Sequence, residues 1–189
     1  MISHTHKFIF IHINKCGGTS IQDFLVNYGG HFYLDNEDVM YTNRAWHITG
    51  EQYSTMRYWR EYFKFTIIRN PWSKELSDWF YRKKILENYS KSFDEYIKNV
   101  KGKYWHTDQL DFLLSRDKKQ EMDFIGRFEN FQHDFDIVCE KIGIPQQKLP
   151  HKNKTNHKHY TEYYNDETRK IVAKMYAKDI EYFGYKFGE

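Results

Sequence analysis

The chain has 189 residues, of which 19% are aromatic and 29% are charged, and this composition excludes a chain that is disordered as a whole. We expect one domain spanning residues 1–189. The net charge of +3 is too small to indicate a nucleic-acid partner. No apolar run approaches the roughly 20 residues that span a bilayer, so we expect no membrane insertion. The N-terminal stretch lacks the pattern of a secretory signal, and the two cysteines form no disulfide or zinc pattern, which favours a cytoplasmic location.

The first predicted unit is a strand followed by a glycine turn and a helix. An apolar run at 8–13 predicts a buried strand, and after the glycines the apolar residues recur at helical spacing as far as Gly29. Such a turn can hold an anion, because the free N–H groups and the dipole of a helix start favour negative charge. The alternative is a structural turn with an exposed lysine. The predicted anion-binding residues are Lys15, Cys16, Gly17, Gly18, Thr19 and Ser20.

A second strand and helix follow in the same order. The β-rich run at 63–68 predicts a strand, and Pro71 is well placed in the first turn of a helix. Arg69 lies at the carboxyl end of the strand, and Lys74 and Ser77 are i, i+3 neighbours that can face one ligand. An arginine fork and a hydroxyl suit a dianionic phosphate. Alternatively, Arg69 pairs with an acidic neighbour and Ser77 has no binding role.

The rest of the sequence continues the alternation of strands and helices. Ser92 opens a third helix with a capping box, and the run at 124–126 predicts a short strand. A helix is predicted over 131–142, and Asp166 is expected to cap a last helix that includes Ile180. We therefore predict an α/β fold of three layers, α/β/α, with a central parallel sheet. Ligands of such folds bind at the carboxyl ends of the strands.

The two anion motifs resemble those of the sulfotransferases that use 3′-phosphoadenosine 5′-phosphosulfate (PAPS). The run at 15–20 is similar to their 5′-phosphosulfate loop, and the segment 69–77 is similar to their 3′-phosphate motif. The segments 123–130 and 179–185 resemble the carbohydrate O-sulfotransferase branch, including its small bacterial-type members. The family usually has a second arginine five residues after the first, and Lys74 stands there. Lysine keeps the charge but lacks the bidentate fork of arginine.

The resemblance implies a P-loop-like strand–loop–helix and transfer of a sulfuryl group from PAPS to a hydroxyl of a carbohydrate or similar acceptor. Adenosine 3′,5′-bisphosphate (PAP) would be the product, and no metal would be needed. Lys15 would neutralise the charge on the leaving oxygen, and the glycine turn would hold the 5′-phosphate. Arg69 and Ser77 would hold the 3′-phosphate. Further contacts to the carrier are expected from Lys74, Arg127, Lys152 and Lys154.

His47 is the predicted general base, because it resembles the histidine of the family in the corresponding stretch. A histidine pKa near 6.5 suits proton abstraction at neutral pH. His47 can instead cap the helix that begins near Thr49. Glu51 and His12 are the weaker candidates for the base.

Other polar residues leave alternatives open. His106 and Gln109 either line the acceptor site or cap a helix. His157 and His159 can hold a metal ion, but a solvated basic loop is the preferred interpretation.

Two other functions remain as hypotheses at this stage. One is a small kinase with an atypical phosphate loop, although no acidic strand end that would hold Mg²⁺ is evident after 124–126. The other is a nucleotide- or glycan-binding protein without catalysis, because the short chain leaves little room for a large acceptor-binding region.

Overall fold

The structure is a computed structural model that describes residues 1–30, 49–100, 106–149 and 157–189. The chain divides into two compact units. The first comprises Met1–Ile68 and Asp111–Lys152, and the second comprises Arg69–Leu110 and Asn153–Glu189. The sheet lies in the first unit, whereas the described residues of the second unit form helices and turns. No helix among the described residues is both long and apolar enough to cross a membrane.

The described strands of the first unit form one sheet in the order β1-β2-β3-β4. They are β1 (Ile2–Ser3), β2 (Phe8–Ile11), β3 (Phe63–Ile68) and β4 (Phe124–Arg127). The strands β2, β3 and β4 are parallel, as predicted, and β1 pairs with β2 in the antiparallel direction. The antiparallel strand was not predicted, because two residues carry no alternating pattern.

Helices alternate with these strands along the chain, and strands and helices together form the predicted mixed α/β fold. In chain order they are α1 (Gly18–Leu25), α2 (Gly50–Tyr53), α3 (Pro71–Ile85), α4 (Phe93–Val100), α5 (Gln109–Leu113), α6 (Phe131–Lys141), α7 (Asp166–Met175) and α8 (Ala177–Phe183).

Aromatic side chains form the core of the first unit. Every residue of β2 is buried, and the ring of Phe10 stacks on that of Phe65 in β3 with 5.0 Å between centroids. Helices α1 and α6 meet through an edge contact between Phe24 and Phe135, whose ring centroids are 5.3 Å apart. The burial of this apolar surface stabilises the sheet.

Two helices of the second unit, α3 and α4, begin where their capping residues predict. Pro71 is the first residue of α3, and the side chain of Asn70 accepts hydrogen bonds from two N–H groups of its first turn. Before α4, Ser92 and Glu95 form the predicted capping box. An apolar cluster packs these helices together, and its buried members are Trp72, Leu76, Trp79, Phe93, Tyr96, Ile97, Val100, Tyr160, Val172 and Tyr176.

The last predicted helix differs from the structure in two respects. Its N-cap is Asn165, whose side chain accepts from the backbone N–H of Thr168, so Asp166 is the first helical residue and the prediction that it caps the helix is wrong. The helix also breaks at Tyr176, between α7 and α8. The break lies at a buried tyrosine whose hydroxyl takes part in a polar network of the second unit.

Candidate active site

The glycine turn between β2 and α1 has the backbone geometry that its glycines predict. Gly17, the N-cap of α1, has a φ of 79°, in the left-handed region that favours glycine. Lys15 also has a positive φ, of 65°, although it is not glycine, and this conformation costs about 1–2 kcal/mol. A hydrogen bond from the N–H of Ser20 to the carbonyl of Gly17, 3.1 Å long, closes the turn.

Close packing leaves no room for a side chain at Gly17 or Gly18. A β-carbon at Gly18 would overlap the imidazole ring of His12, and one at Gly17 would lie 2.7 Å from the ring of Phe131. His12 is buried and stacks on Phe10, with the ring planes 14° apart. The turn therefore lies directly against rings of its own unit, which hold its backbone in place.

Replacing Gly18 with alanine is expected to lower the free energy of unfolding by about 1–3 kcal/mol, because the added methyl group overlaps His12. Urea denaturation of the single variant measures this loss. In a His12→Ala background the collision is removed, so the second substitution should cost less there than in the wild-type chain. Equal costs in the two backgrounds would contradict the packing described for the turn.

The electrostatics of the turn fit an anion. The first N–H groups of a helix have no acceptor within the helix, and at α1 the glycine N-cap supplies no side-chain acceptor. No acidic residue lies in the first turn of α1 to balance the partial positive charge of the helix start. Lys15 and Thr19 are half-buried beside this helix start, while Cys16 and Ser20 are buried. The donors present are those that bind a phosphate or sulfate group.

In the second unit, Arg69 directly follows β3 and is only 9% exposed. Its Nε donates a hydrogen bond of 3.0 Å to Oγ of Ser73. Ser73 and Ser77 are both half-buried, and since they are one turn apart on α3 they lie on one face of that helix. Ser73 was not predicted from the sequence, although its position one turn before Ser77 is a signal that could have identified it.

The backbone of Arg69 is held by the side chain of Gln109. The Oε1 atom of Gln109 accepts from the N–H of Arg69, and its Nε2 donates to the carbonyl of Arg69, both at 2.8 Å. Gln109 is 0% exposed, so its amide is committed to Arg69 and to Asp179. It thus lies beside a predicted binding residue and does not face solvent.

The predicted phosphate contact Lys74 is buried in a polar network at 2% exposure. Its Nζ donates to the hydroxyl of Tyr176 at 2.9 Å and lies 3.8 Å from Oε1 of Glu75. The hydroxyl of Tyr176 in turn donates to Glu75. Lys74 therefore neutralises an internal carboxylate of the second unit.

His106 belongs to the same network. Its Nδ1 lies 2.9 Å from Oε2 of Glu75, and the residue is 3% exposed. The hydroxyl of Tyr96 lies 2.8 Å from Glu75 and 2.9 Å from Asp78 and donates its one proton between them. Burial by itself raises the pKa of Glu75, but the hydrogen bond from His106, the charges of Lys74 and His106 and the hydrogen bond from Tyr176 outweigh it and lower this pKa to about 2.

Of the remaining predicted site residues, one lies at the end of β4 and three lie outside the described residues. Arg127 is the half-buried last residue of β4, and its backbone N–H donates to Asp134 at 2.6 Å. His47, Lys152 and Lys154 lie outside the described residues.

The alternative site residues have ordinary surroundings. Glu51 is exposed and pairs with Lys118 at 3.0 Å. His157 stacks on Phe80 with 5.0 Å between ring centroids. Within the described ranges no three histidine, cysteine or acidic side chains come together as metal ligands.

Comparison with known proteins identifies the class of protein to which the chain belongs. The profile of the Sulfotransferase family matches residues 1–186, and the chain belongs to that family. Membership in this family makes the chain a transferase and indicates in general terms that the group transferred is a sulfuryl group. An uncharacterized protein of Archaeoglobus fulgidus is 37% identical over 90 residues, which cover 46% of this chain and 72% of that protein. No solved structure matches the chain.

Proposed function

We propose that the chain transfers a sulfuryl group from PAPS to a hydroxyl group of a carbohydrate or similar acceptor and releases PAP. The observation that carries this proposal is the uncapped glycine turn after β2, with Lys15 in it, in a chain of the Sulfotransferase family. The carbohydrate acceptor rests on the resemblance of segments 123–130 and 179–185 to the carbohydrate O-sulfotransferase branch.

The glycine turn is assigned to the 5′ end of the carrier. The backbone N–H groups at the start of α1 and the hydroxyls of Thr19 and Ser20 bind the 5′-phosphate. Lys15 donates to the bridging oxygen, where negative charge develops as the bond to sulfur breaks. Because the charge on this oxygen grows toward the transition state, the interaction with Lys15 stabilises that state more than the bound substrate.

The segment after β3 is assigned to the 3′-phosphate. Arg69 and Ser77 bind the phosphate oxygens, and Ser73 orients the guanidinium through its hydrogen bond to Nε. Lys74 does not bind the carrier in this proposal, since its ammonium is committed to Glu75 and Tyr176. Further cations assigned to the carrier are Arg127, Lys152 and Lys154.

His47 is assigned the role of general base that removes the proton of the acceptor hydroxyl. In-line transfer places the acceptor oxygen, which forms the new bond to sulfur, opposite the leaving oxygen, so the base and Lys15 act at different ends of the reacting group. His106 and Gln109 are both buried in networks of the second unit, and we assign them to positioning and not to acceptor binding.

Replacing Arg69 with alanine is expected to weaken the binding of PAP by about 10- to 100-fold, the usual cost of one hydrogen bond to a charged group. Isothermal titration calorimetry with PAP, ADP and ATP measures this loss and the selectivity. The wild-type chain should prefer PAP, and the preference should disappear in the variant.

Arg169→Ala is the matched control, because Arg169 is a surface arginine of the same unit that pairs with Asp166. It should bind PAP as the wild-type chain does. Preference for ATP would instead favour the kinase hypothesis. Transfer of labelled sulfate from PAPS to a panel of sugars then separates an enzyme from a binding protein that lacks catalysis.

A further inference from the structure

We propose that Gln109 and Asp179 are positioning residues that set the place of Arg69 and thereby determine how strongly the chain selects a 3′-phosphorylated nucleotide. This inference rests on the proposed function, in which Arg69 binds the 3′-phosphate. Neither residue touches the carrier in the proposal. All of the contacts that carry it lie within the second unit.

The side chain of Gln109 holds the backbone of Arg69 through two hydrogen bonds. Arg69 lies just beyond the end of β3, where buried backbone groups need new hydrogen-bond partners. The primary amide of Gln109 imitates a peptide group of a neighbouring strand, accepting from the N–H and donating to the carbonyl of Arg69, both at 2.8 Å. Two bonds in opposite directions fix both the position and the orientation of this peptide segment.

The carboxylate of Asp179 in turn accepts hydrogen bonds from Gln109. The Oδ2 atom of Asp179 accepts from the backbone N–H of Gln109 at 2.8 Å and from its Nε2 at 3.0 Å. Its Oδ1 accepts from the N–H of Leu110 at 2.9 Å. A carboxylate from α8 thus caps the first turn of α5 and at the same time orients the Gln109 amide.

The capping is reciprocal. Asp108, which precedes α5, accepts at 3.1 Å from the N–H of Asp179 in the first turn of α8. Each helix start therefore receives its acceptor from the other segment, so that neither can shift alone without losing a buried hydrogen bond. Asp179 is 0% exposed, and this burial makes the exchange of its partners for water costly.

The guanidinium of Arg69 is held in addition to its backbone. The backbone of Arg69 is held by Gln109, and Nε of its side chain is held by Ser73 at 3.0 Å. Because the backbone and the Nε atom of Arg69 are both held, the two terminal nitrogens of its guanidinium keep one direction relative to α3. A displacement of about 1 Å in a binding group can cost on the order of 100-fold in function. Loss of the hydrogen bonds between Gln109 and Arg69 should therefore weaken the contact to a 3′-phosphate selectively.

The test compares the affinities for PAP and for adenosine 5′-monophosphate, which lacks the 3′-phosphate, by isothermal titration calorimetry. Gln109→Met removes both hydrogen bonds to Arg69 at nearly constant volume. Its expected effect is about tenfold weaker binding of PAP, with the affinity for the monophosphate changed less than about twofold. Asp179→Asn should reduce selectivity in the same direction by a smaller factor, since it keeps one carboxamide oxygen as an acceptor. It also serves if Gln109→Met does not fold.

Val172→Ala is the control for loss of stability, because it opens a cavity in the same unit and leaves the contacts of Arg69, Gln109 and Asp179 in place. It should keep the wild-type ratio of affinities. A wild-type chain that binds both nucleotides equally would overturn the proposed function together with this inference. A selective wild type whose Gln109→Met and Asp179→Asn variants stay equally selective would overturn the inference alone.

Discussion

Replacing Lys15 with alanine is expected to lower kcat for sulfuryl transfer by about 100- to 1,000-fold, the usual cost of removing one group that stabilises transition-state charge. PAP binding should fall much less, because the charge that Lys15 faces is largest while the bond to sulfur breaks. The measurement is the initial rate of transfer of labelled sulfate from PAPS, together with calorimetric titration of PAP.

Lys7→Ala is a well-matched control for this variant. Lys7 has a φ of 50° and Lys15 has a φ of 65°, so the two substitutions place alanine in the same left-handed backbone region of the same unit. Lys7→Ala should therefore reproduce any effect on backbone strain and keep the rate of transfer. His47→Ala tests the proposed base in the same assay, with an expected loss of about 100- to 10,000-fold. A Lys15→Ala rate near that of the wild type would remove the role assigned to the lysine.

Replacing Glu75 with alanine should lower the free energy of unfolding by about 3–5 kcal/mol, the cost of breaking a buried ion pair. The substitution leaves Lys74 buried without its carboxylate and deprives Tyr176 and His106 of their acceptor. Urea denaturation measures this loss. Glu75→Gln retains an acceptor of the same size, so its loss should be smaller than that of the alanine variant. A change below about 1 kcal/mol in the alanine variant would show that the network contributes little.

The contribution of Glu75 should also depend on pH. Its folded pKa, about 2, lies below its ordinary value of 4.5, so its stabilisation is present above about pH 4.5 and is lost as the pH falls toward 2. Asp179 acts in the opposite sense, because burial raises its pKa to about 6, and its contribution is lost as the pH rises from 3.8 through 6. The difference in unfolding free energy between the wild type and Glu75→Gln, taken at each pH, isolates Glu75.

Much of the fold could be predicted because its elements carry strong local signals. The apolar run that becomes β2, the proline that begins α3 and the capping box before α4 all depend on residues close together in sequence. The break at Tyr176 had no such signal. A run of helix formers surrounds it, and the hydroxyl of Tyr176 contacts Lys74 and Glu75, which are about a hundred residues away in the chain.

The candidate site likewise has features that neighbouring residues predicted and features that depend on distant residues. The glycine turn could be predicted, since its two glycines and Lys15 lie next to one another between a strand and a helix. Spacing alone placed Lys74 and Ser77 on one face, but the ammonium of Lys74 contacts Glu75 and Tyr176 inside the second unit. The role of Gln109 at Arg69 joins residues 40 apart and could not be read from either segment alone.

The two-residue strand β1 has a consequence for the behaviour of the chain in concentrated solution. The margin of a sheet exposes N–H and C=O groups that can pair with a strand of another molecule and begin aggregation. Here β2 is covered on one side by β3 and on the other by β1, which runs in the opposite direction. Because β1 is so short, the margin that it forms among the described strands offers few groups for such intermolecular growth.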